Sequence, residues 1–599
     1  MPTVSAAWGI DKFNFTQAGA GAVKRLGSAK FAERISVCDY GATGDGVTND
    51  LPFIQAAIDA NPGKSIFFPA GSYKITGPIL VSTDNTYLVG AGHNCTYIKN
   101  THASGDAIKF YCTSTATKTT FINNVGLSGL YIMRNTAATV GASVRITRVN
   151  GGVFQDFISS DCPEGIIVEG GQMNSISRVK MFASGATFDL SATANSALIS
   201  FRDTPSDDGN YQHCFTSTLT DFKMTSSKKT DTLISIGNCD GLQIGNAYMA
   251  SGYNSLVRLQ GLRNGGVIAA LSFHNIYFDA VNSGSGTNYI MEVPTNAYTS
   301  HVIYDVNFTG CIFGNTKLHG LLIRKPMARL STVGCHFLNT NSWAIDFEGD
   351  SASSHAIVSG CHFNNIGALG GGIGTARFKD LVNLSFSGNV ITNDLGVGYT
   401  LSLTGSFNVA SVTGNSVKGN TADLSTSGAT FTNGLVLAGN DSSSANASSW
   451  KGLRFSNLAV TDTKTMDWYE EYAGDCGITF GGLSTGVNAS VHFVRATRCG
   501  NRVSFQYTLT LTSKGTATGV IALTGLPWTS HANNVTPVSI RLNGVTSGLA
   551  NVMLYGLISG SSDTIQIAKS DGTSGLTVLT NADILGTASI YVSGTYEAA

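Results

Sequence analysis

The chain has 599 residues, several times an ordinary domain, so it is either multi-domain or one long repetitive fold. Its 37 basic and 38 acidic residues balance to a net charge of -1, which removes the general electrostatic attraction that nucleic-acid and membrane-surface proteins use. Only 13% of residues are charged while Gly numbers 70, a composition that suits stacked β coils and excludes long helices.

The opening MPTVSAAWGIDKFNF lacks a basic region followed by an apolar run, and no uncharged apolar stretch reaches membrane-spanning length. The expectation is a chain with no export signal and no membrane partner, made in the cytoplasm. Eleven cysteines without CxxC pairs point to reduced, buried thiols, with neither a zinc ribbon nor a disulfide framework; no metal and no cofactor is implied.

Residues 1–34 form a short N-terminal segment. From residue 34 the chain reads RISVCDYGATGDGVTND, and Asp50 is placed to cap a short helix with Pro52 in its first turn and Ile54, Ala57 and Ile58 at helical spacing. That helix is predicted to plug the open end of a solenoid whose first strands are SIFFPAGSYKI and TYLVGAG. This block closely resembles the opening of the pectate-lyase-like β-helix superfamily. The preceding FTQAGAGAVKRLGSAKFAERISVCDYGA (15–42) resembles the segment that joins virion-attachment regions to the β-helix in bacteriophage tailspikes. The resemblance implies a right-handed, single-stranded parallel β-helix of the tailspike or capsular polysaccharide depolymerase kind. It also implies a homotrimer on the virion tail, attached through its N-terminus to another tail or adaptor protein, with a bacterial surface polysaccharide as partner. By itself the block carries no chemistry.

Residues 35–440 carry the repeat. A Gly followed by a small, a variable and an apolar residue recurs as GCIF at Gly310, GCHF at Gly334, GCHF at Gly360, GNVI at Gly388, GNSV at Gly414 and GND at Gly439, spaced 24, 26, 28, 26 and 25 residues. Each is preceded by an alternating apolar strand, as one coil of a solenoid requires. Looser copies begin at Gly129, Asp156, Arg178, Asp221, Gly245 and Asn275, giving about twelve coils. The residue after each glycine, Cys311, Cys335, Cys361, Asn389, Asn415 and Asn440, is predicted to form an interior ladder in which thiols hand over to amides. The Cys-His pairs invite a metal, but strand neighbours point to opposite faces.

Two coils are oversized, from Arg178 to Asp221 and from Asn275 to Gly310, and such insertions emerge as loops that wall a binding face. The first holds Asp203, Asp207 and Tyr211; together with outward Tyr277, Asp279 and His336, and with Trp343, these are candidate substrate-binding residues, since aromatic faces stack on sugar rings. After a Ser-rich link at 441–450 the period gives way to alternating strands over 451–599. These read as a C-terminal β-sandwich whose motifs, FGGLSTG and TGLPW among them, resemble a module of phage tail proteins implied to serve trimerisation or carbohydrate binding.

For catalysis we align the strands YIMEVP, LLIRKP, WAIDFEGD and ARFKD. With Met291, Ile323, Ile345 and Phe347 inward, Glu292, Arg324, Asp346, Glu348, Arg377 and Lys379 face outward. Asp346 and Glu348 stand roughly 7 Å apart on one strand, with Glu292 two coils away at about 10 Å. These separations suit the acid and base of an inverting glycoside hydrolase, with Arg324 holding a carboxylate ionised; the same residues also fit a plain surface salt-bridge ladder. RKPMAR (324–329) fits the R-x-P-x-x-R pattern of pectate lyases, in which Arg324 would be the base of a β-elimination. Endo-glycosidic hydrolysis, elimination from a uronate-containing capsule, and a non-catalytic receptor-binding spike are the three functions carried forward.

Overall fold

The two-dozen-residue period closes into coils of three strands, such as Arg329–Val333, His336–Thr340 and Ile345–Glu348, after which His355–Ser359 opens the next. In this computed structural model the residues described are 13–113, 120–134, 140–183, 196–204, 213–226, 230–261, 266–280, 288–295, 302–367, 374–392, 399–418, 422–442, 469–532, 535–546, 549, 552–570, 572 and 575–599. Successive coils pair in parallel, Leu330 with Ala356, Phe337 with Phe363 and Asp346 with Arg377, and among the described residues 37 strands join this way. The result is a right-handed parallel β-helix, as the repeat and the resemblance predict.

Alternation explains why these sequences form it. Inward residues stack on their copies one coil away: Phe313 lies 4.4 Å from Phe337, and Phe337 lies 4.8 Å from Phe363, ring centroid to ring centroid. Burying each such ring contributes roughly 1.5–3 kcal/mol. The repeating glycines occupy one corner: Gly310, Gly334, Gly360, Gly388, Gly414 and Gly439 all have φ between 60° and 64°, where a Cβ is strained. Just past them, the predicted ladder is present and buried. The Asn389 amide N–H donates to Asn415 Oδ1 at 2.9 Å, that of Asn415 donates to Asn440 Oδ1 at 3.0 Å, and Cys311, Cys335 and Cys361 are buried. All eleven cysteines are free thiols.

Two local expectations are corrected. In the earlier coils the same corner is held by Asp156, Arg178, Asp221, Asn246 and Asn275, all at positive φ. Pairing of Phe222 with Ala247 and of Ala247 with Ile276 puts Asn246, not Gly245, in that column. Asparagine enters the left-handed region more readily than other side chains, so tracking glycine alone slips the register by one. Asp50 also does not cap its helix through its side chain. It sits at the N-cap of Leu51–Asp59 with helical angles, and its carboxylate instead accepts the Thr43 and Gly44 amides at 2.7 and 3.2 Å. Ile54, Ala57 and Ile58 are buried as spaced.

The chain divides into two compact units, Met1–Asn433 with Ala438–Lys451 and Gly434–Leu437 with Gly452–Ala599. In the first, Asp441 and Ser442 still pair with Ser416 and Val417, so coil pairing continues past residue 440. The second is antiparallel, built on the long strands Val487–Cys499, Arg502–Lys514 and Ile584–Glu597. Their inward Val494, Phe505, Tyr507 and Ile590 share one core with Phe480, Ile521 and Ile567 of the facing sheet, a β-sandwich.

Candidate active site

The third strand of each coil builds the charged face. Its outward register runs Ser235, Arg258, Glu292, Leu322, Asp346 and Arg377, and one pleat further on Glu348 pairs with Lys379. Met291, Ile323, Ile345 and Phe347 are fully buried between them. The alternation in the sequence therefore assigned each of these side chains to its correct side.

The electrostatics divide the three carboxylates. Asp346 is clamped: Arg377 donates to Oδ1 at 2.8 Å and to Oδ2 at 2.7 Å, Arg324 Nη2 also donates to Oδ2, and only 2% of the side chain is accessible. Burial opposes its ionised form, but the guanidiniums of Arg324 and Arg377 outweigh it and hold the carboxyl below its usual range. Glu292 accepts two bonds from Arg258, at 3.1 and 2.8 Å, and keeps 15% of its side chain accessible. Arg258 also bridges to the buried Asp231, which Asn254 holds from the other side. Glu348 is the open one, 42% accessible and paired with Lys379.

Beside this network His319 stacks on Tyr289, ring centroids 5.9 Å apart. Burial, with help from the nearby Arg324 and Arg377 charges and against that of Asp346, pushes its imidazole down to about 4, so it is neutral at pH 7. Unfolded histidine titrates near 6.5, so below that pH the unfolded chain binds the proton first. Stability is then expected to fall by about 3 kcal/mol between pH 6.5 and 4, with no contribution from this group above 6.5. Denaturation midpoints at pH 7 and 4.5 check this: His319→Asn should flatten the slope, and an unchanged slope would place the titrating group elsewhere.

The other predicted residues disperse. Trp343 is a correction: it is 6% exposed, with Arg377 over its ring at 5.7 Å, so its face is covered by a neighbour and not open to a sugar. Asp346 likewise points outward yet is roofed by arginines from the coils on either side. Tyr277, Asp279 and His336 lie on second strands, Leu271–Asp279 and His336–Thr340, on a different face from the carboxylates. Asp203 directly follows the strand Ala197–Arg202, with 6% of its side chain accessible, bonded to His213 Nδ1 at 2.9 Å and to Asn238. Asp207 and Tyr211 lie outside the described residues. Among the described residues no three His, Cys, Asp or Glu side chains gather as a metal would need.

Sequence reasoning missed Arg258, Asp231, Tyr289 and His319. Of a second network on the same strands nearer the N-terminus it reached only Arg202, within the first oversized coil, and missed the partners: Arg145 bonds Asp106 and Glu169 at 2.6 Å each, and Arg202 bonds Glu169 at 3.0 Å and approaches Glu164 at 3.7 Å. Burial raises the Glu164 carboxyl against the pull of Arg202 and Arg145, opposite to Asp346. Extending the outward column backwards from Glu292 would have reached these residues.

Residues 34–141 match the family described as Rhamnogalacturonase A/epimerase, pectate lyase-like. Mannuronan C5-epimerase AlgE3 of Azotobacter vinelandii is 39% identical over 112 residues, 17% of this chain and 6% of that protein. Alginate lyase 7 of the same organism is 42% identical over 73 residues, 11% of this chain and 8% of its own length. The chain thus spans less than a tenth of either relative. Among solved structures, a mutant tailspike protein of E. coli bacteriophage HK620 aligns over 98% of this chain and 97% of its own, at 11% identity and a TM-score of 0.46.

Proposed function

We propose, for a chain that is a parallel β-helix with a pectate-lyase-like N-terminal block, that it is a bacteriophage tailspike cleaving bacterial capsular or O-antigen polysaccharide by endo-glycosidic hydrolysis. In this reading it works as a homotrimer on the virion tail, joined to a tail or adaptor protein through residues 1–34, with 451–599 serving trimerisation or carbohydrate binding. Similarity to mannuronan epimerases and an alginate lyase supports action on polysaccharide and leaves the bond chemistry to the site.

The observation that carries the hydrolytic reading is the division among the carboxylates. Asp346, buried and clamped, is the fixed anion that positions Arg324 and Arg377, while Glu292 and Glu348 reach solvent on either side of it. One of these two carboxyls protonates the leaving glycosidic oxygen and the other takes a proton from the attacking water. Arg324 and Arg377 grip the polymer, most strongly where it carries acid groups.

A second reading, β-elimination, is favoured by the neutral His319 against Tyr289. In this reading Arg324 serves as the clamp and not as the base, since the Asp346 carboxylate, against the guanidinium's own burial, favours its charged form. His319 would remove the proton beside a uronate carboxyl neutralised by Arg324, and the Tyr289 hydroxyl would protonate the leaving oxygen. The purified chain should be offered a panel of capsular and O-antigen polysaccharides and the products weighed. New reducing ends that carry the mass of one added water support hydrolysis; unsaturated ends absorbing at about 235 nm support elimination. Unchanged polymer length on every substrate leaves a receptor-binding spike.

A further inference from the structure

The second strand of each coil carries its own outward column, and its register runs Tyr97, Tyr131, Ile158, Lys180, Lys223, Tyr248 and Tyr277 through successive coils. At about 4.8 Å per coil these span roughly 30 Å along the helix axis. Lys180 and Lys223 stand directly opposite each other, both exposed, and neither has an ion pair with an acidic side chain among the described residues. Like charges in direct cross-strand register repel, so this placement costs stability and calls for an anion to offset it.

Tyrosines flank the pair on both sides. Tyr97 and Tyr131 lie 5.3 Å apart, Tyr248 and Tyr277 lie 5.6 Å apart, and the Lys223 ammonium sits 5.2 Å from the Tyr248 ring. The Tyr248 hydroxyl donates to Asp279 Oδ2 at 3.0 Å, and Asn315 donates to the other oxygen of that carboxylate at 2.9 Å, so the ring is held in place and the Asp279 charge is taken up locally. Ring faces bind the apolar faces of sugars and ammoniums bind their acid groups.

We propose that this column is a binding track for an acidic polysaccharide lying along the helix axis, separate from the carboxylate face and independent of whether that face cleaves. A second copy of the chain meeting this column with its own equivalent column is the poorer occupant, because that contact would bring further lysines toward this pair and add to the repulsion. The test uses the full chain with alginate and neutral dextran as immobilised probes, comparing wild type with Lys180→Gln/Lys223→Gln and with Tyr277→Ala. Wild type should bind alginate and not dextran. The double-lysine variant should bind alginate at least about tenfold more weakly with a flatter salt dependence, while its thermal midpoint stays level or rises. Lys64→Gln, an exposed lysine that belongs to neither this column nor the carboxylate face, should bind as wild type, which separates loss of the track from the mere loss of positive charge. Wild-type affinity in the double variant, no wild-type binding to alginate, or a changed oligomeric state in that variant would each overturn the proposal.

Discussion

Arg258→Ala is expected to destabilise the β-helix by about 3–5 kcal/mol, the cost of removing a buried guanidinium that two carboxylates share, one of them buried. Arg258 is itself buried, and its guanidinium reaches Asp231 on one side and Glu292 on the other. Glu292 can turn toward solvent when the arginine is removed. Asp231 is 2% exposed and has no such escape, so the loss concentrates there. The double variant Asp231→Asn/Arg258→Met removes both charges and keeps the volume, so it should recover most of the stability. The shift in denaturant midpoint measures both; a loss below about 1 kcal/mol in the single variant would mean that water or the other groups around Asp231 compensate its charge without the arginine.

What the sequence revealed, and what it hid, follows from the solenoid itself. Because equivalent residues recur every two dozen positions, the interior columns could be read directly: the Cys and Asn ladder and the Phe stack through Phe313, Phe337 and Phe363 are each one repeat position copied. Alternation likewise gave the direction of Asp346, and carried back to Trp343 it puts that ring on the inward side with Ile345 and Phe347, which its choice as a sugar platform overlooked. It could not give the cover of Asp346, because the atoms that roof it belong to Arg324 and Arg377, 22 and 31 residues away, and depend on where long flexible side chains come to rest. Arg258 was missed for a different reason. The coil between it and Glu292 is lengthened to 34 residues, so the period that links the later coils no longer marks them as neighbours. Asp50 shows the limit of local motifs, since its carboxylate served a tighter turn seven residues upstream instead of the helix that follows it.

Glu348→Gln is expected to lower the cleavage rate about 10²–10⁴-fold with the fold and polymer binding intact, since the amide keeps the shape and loses the proton chemistry. Of the carboxylates on this face Glu348 is the most accessible, and its bond to Lys379 joins two half-exposed groups, so little stability rides on it. Asp346→Asn would be a poor substitute for this test. It frees two arginines at once, so lost activity there would not separate chemistry from collapse of the site. Turnover on a cleaved capsule type, read as reducing ends per minute alongside polymer affinity, decides the matter, with Glu164→Gln run in parallel. Full activity in Glu348→Gln removes it from the chemistry. If Glu164→Gln is then the inactive variant, cleavage belongs to the network of Glu164, Glu169 and Arg202, where burial already favours a protonated carboxyl beside one bonded to arginine.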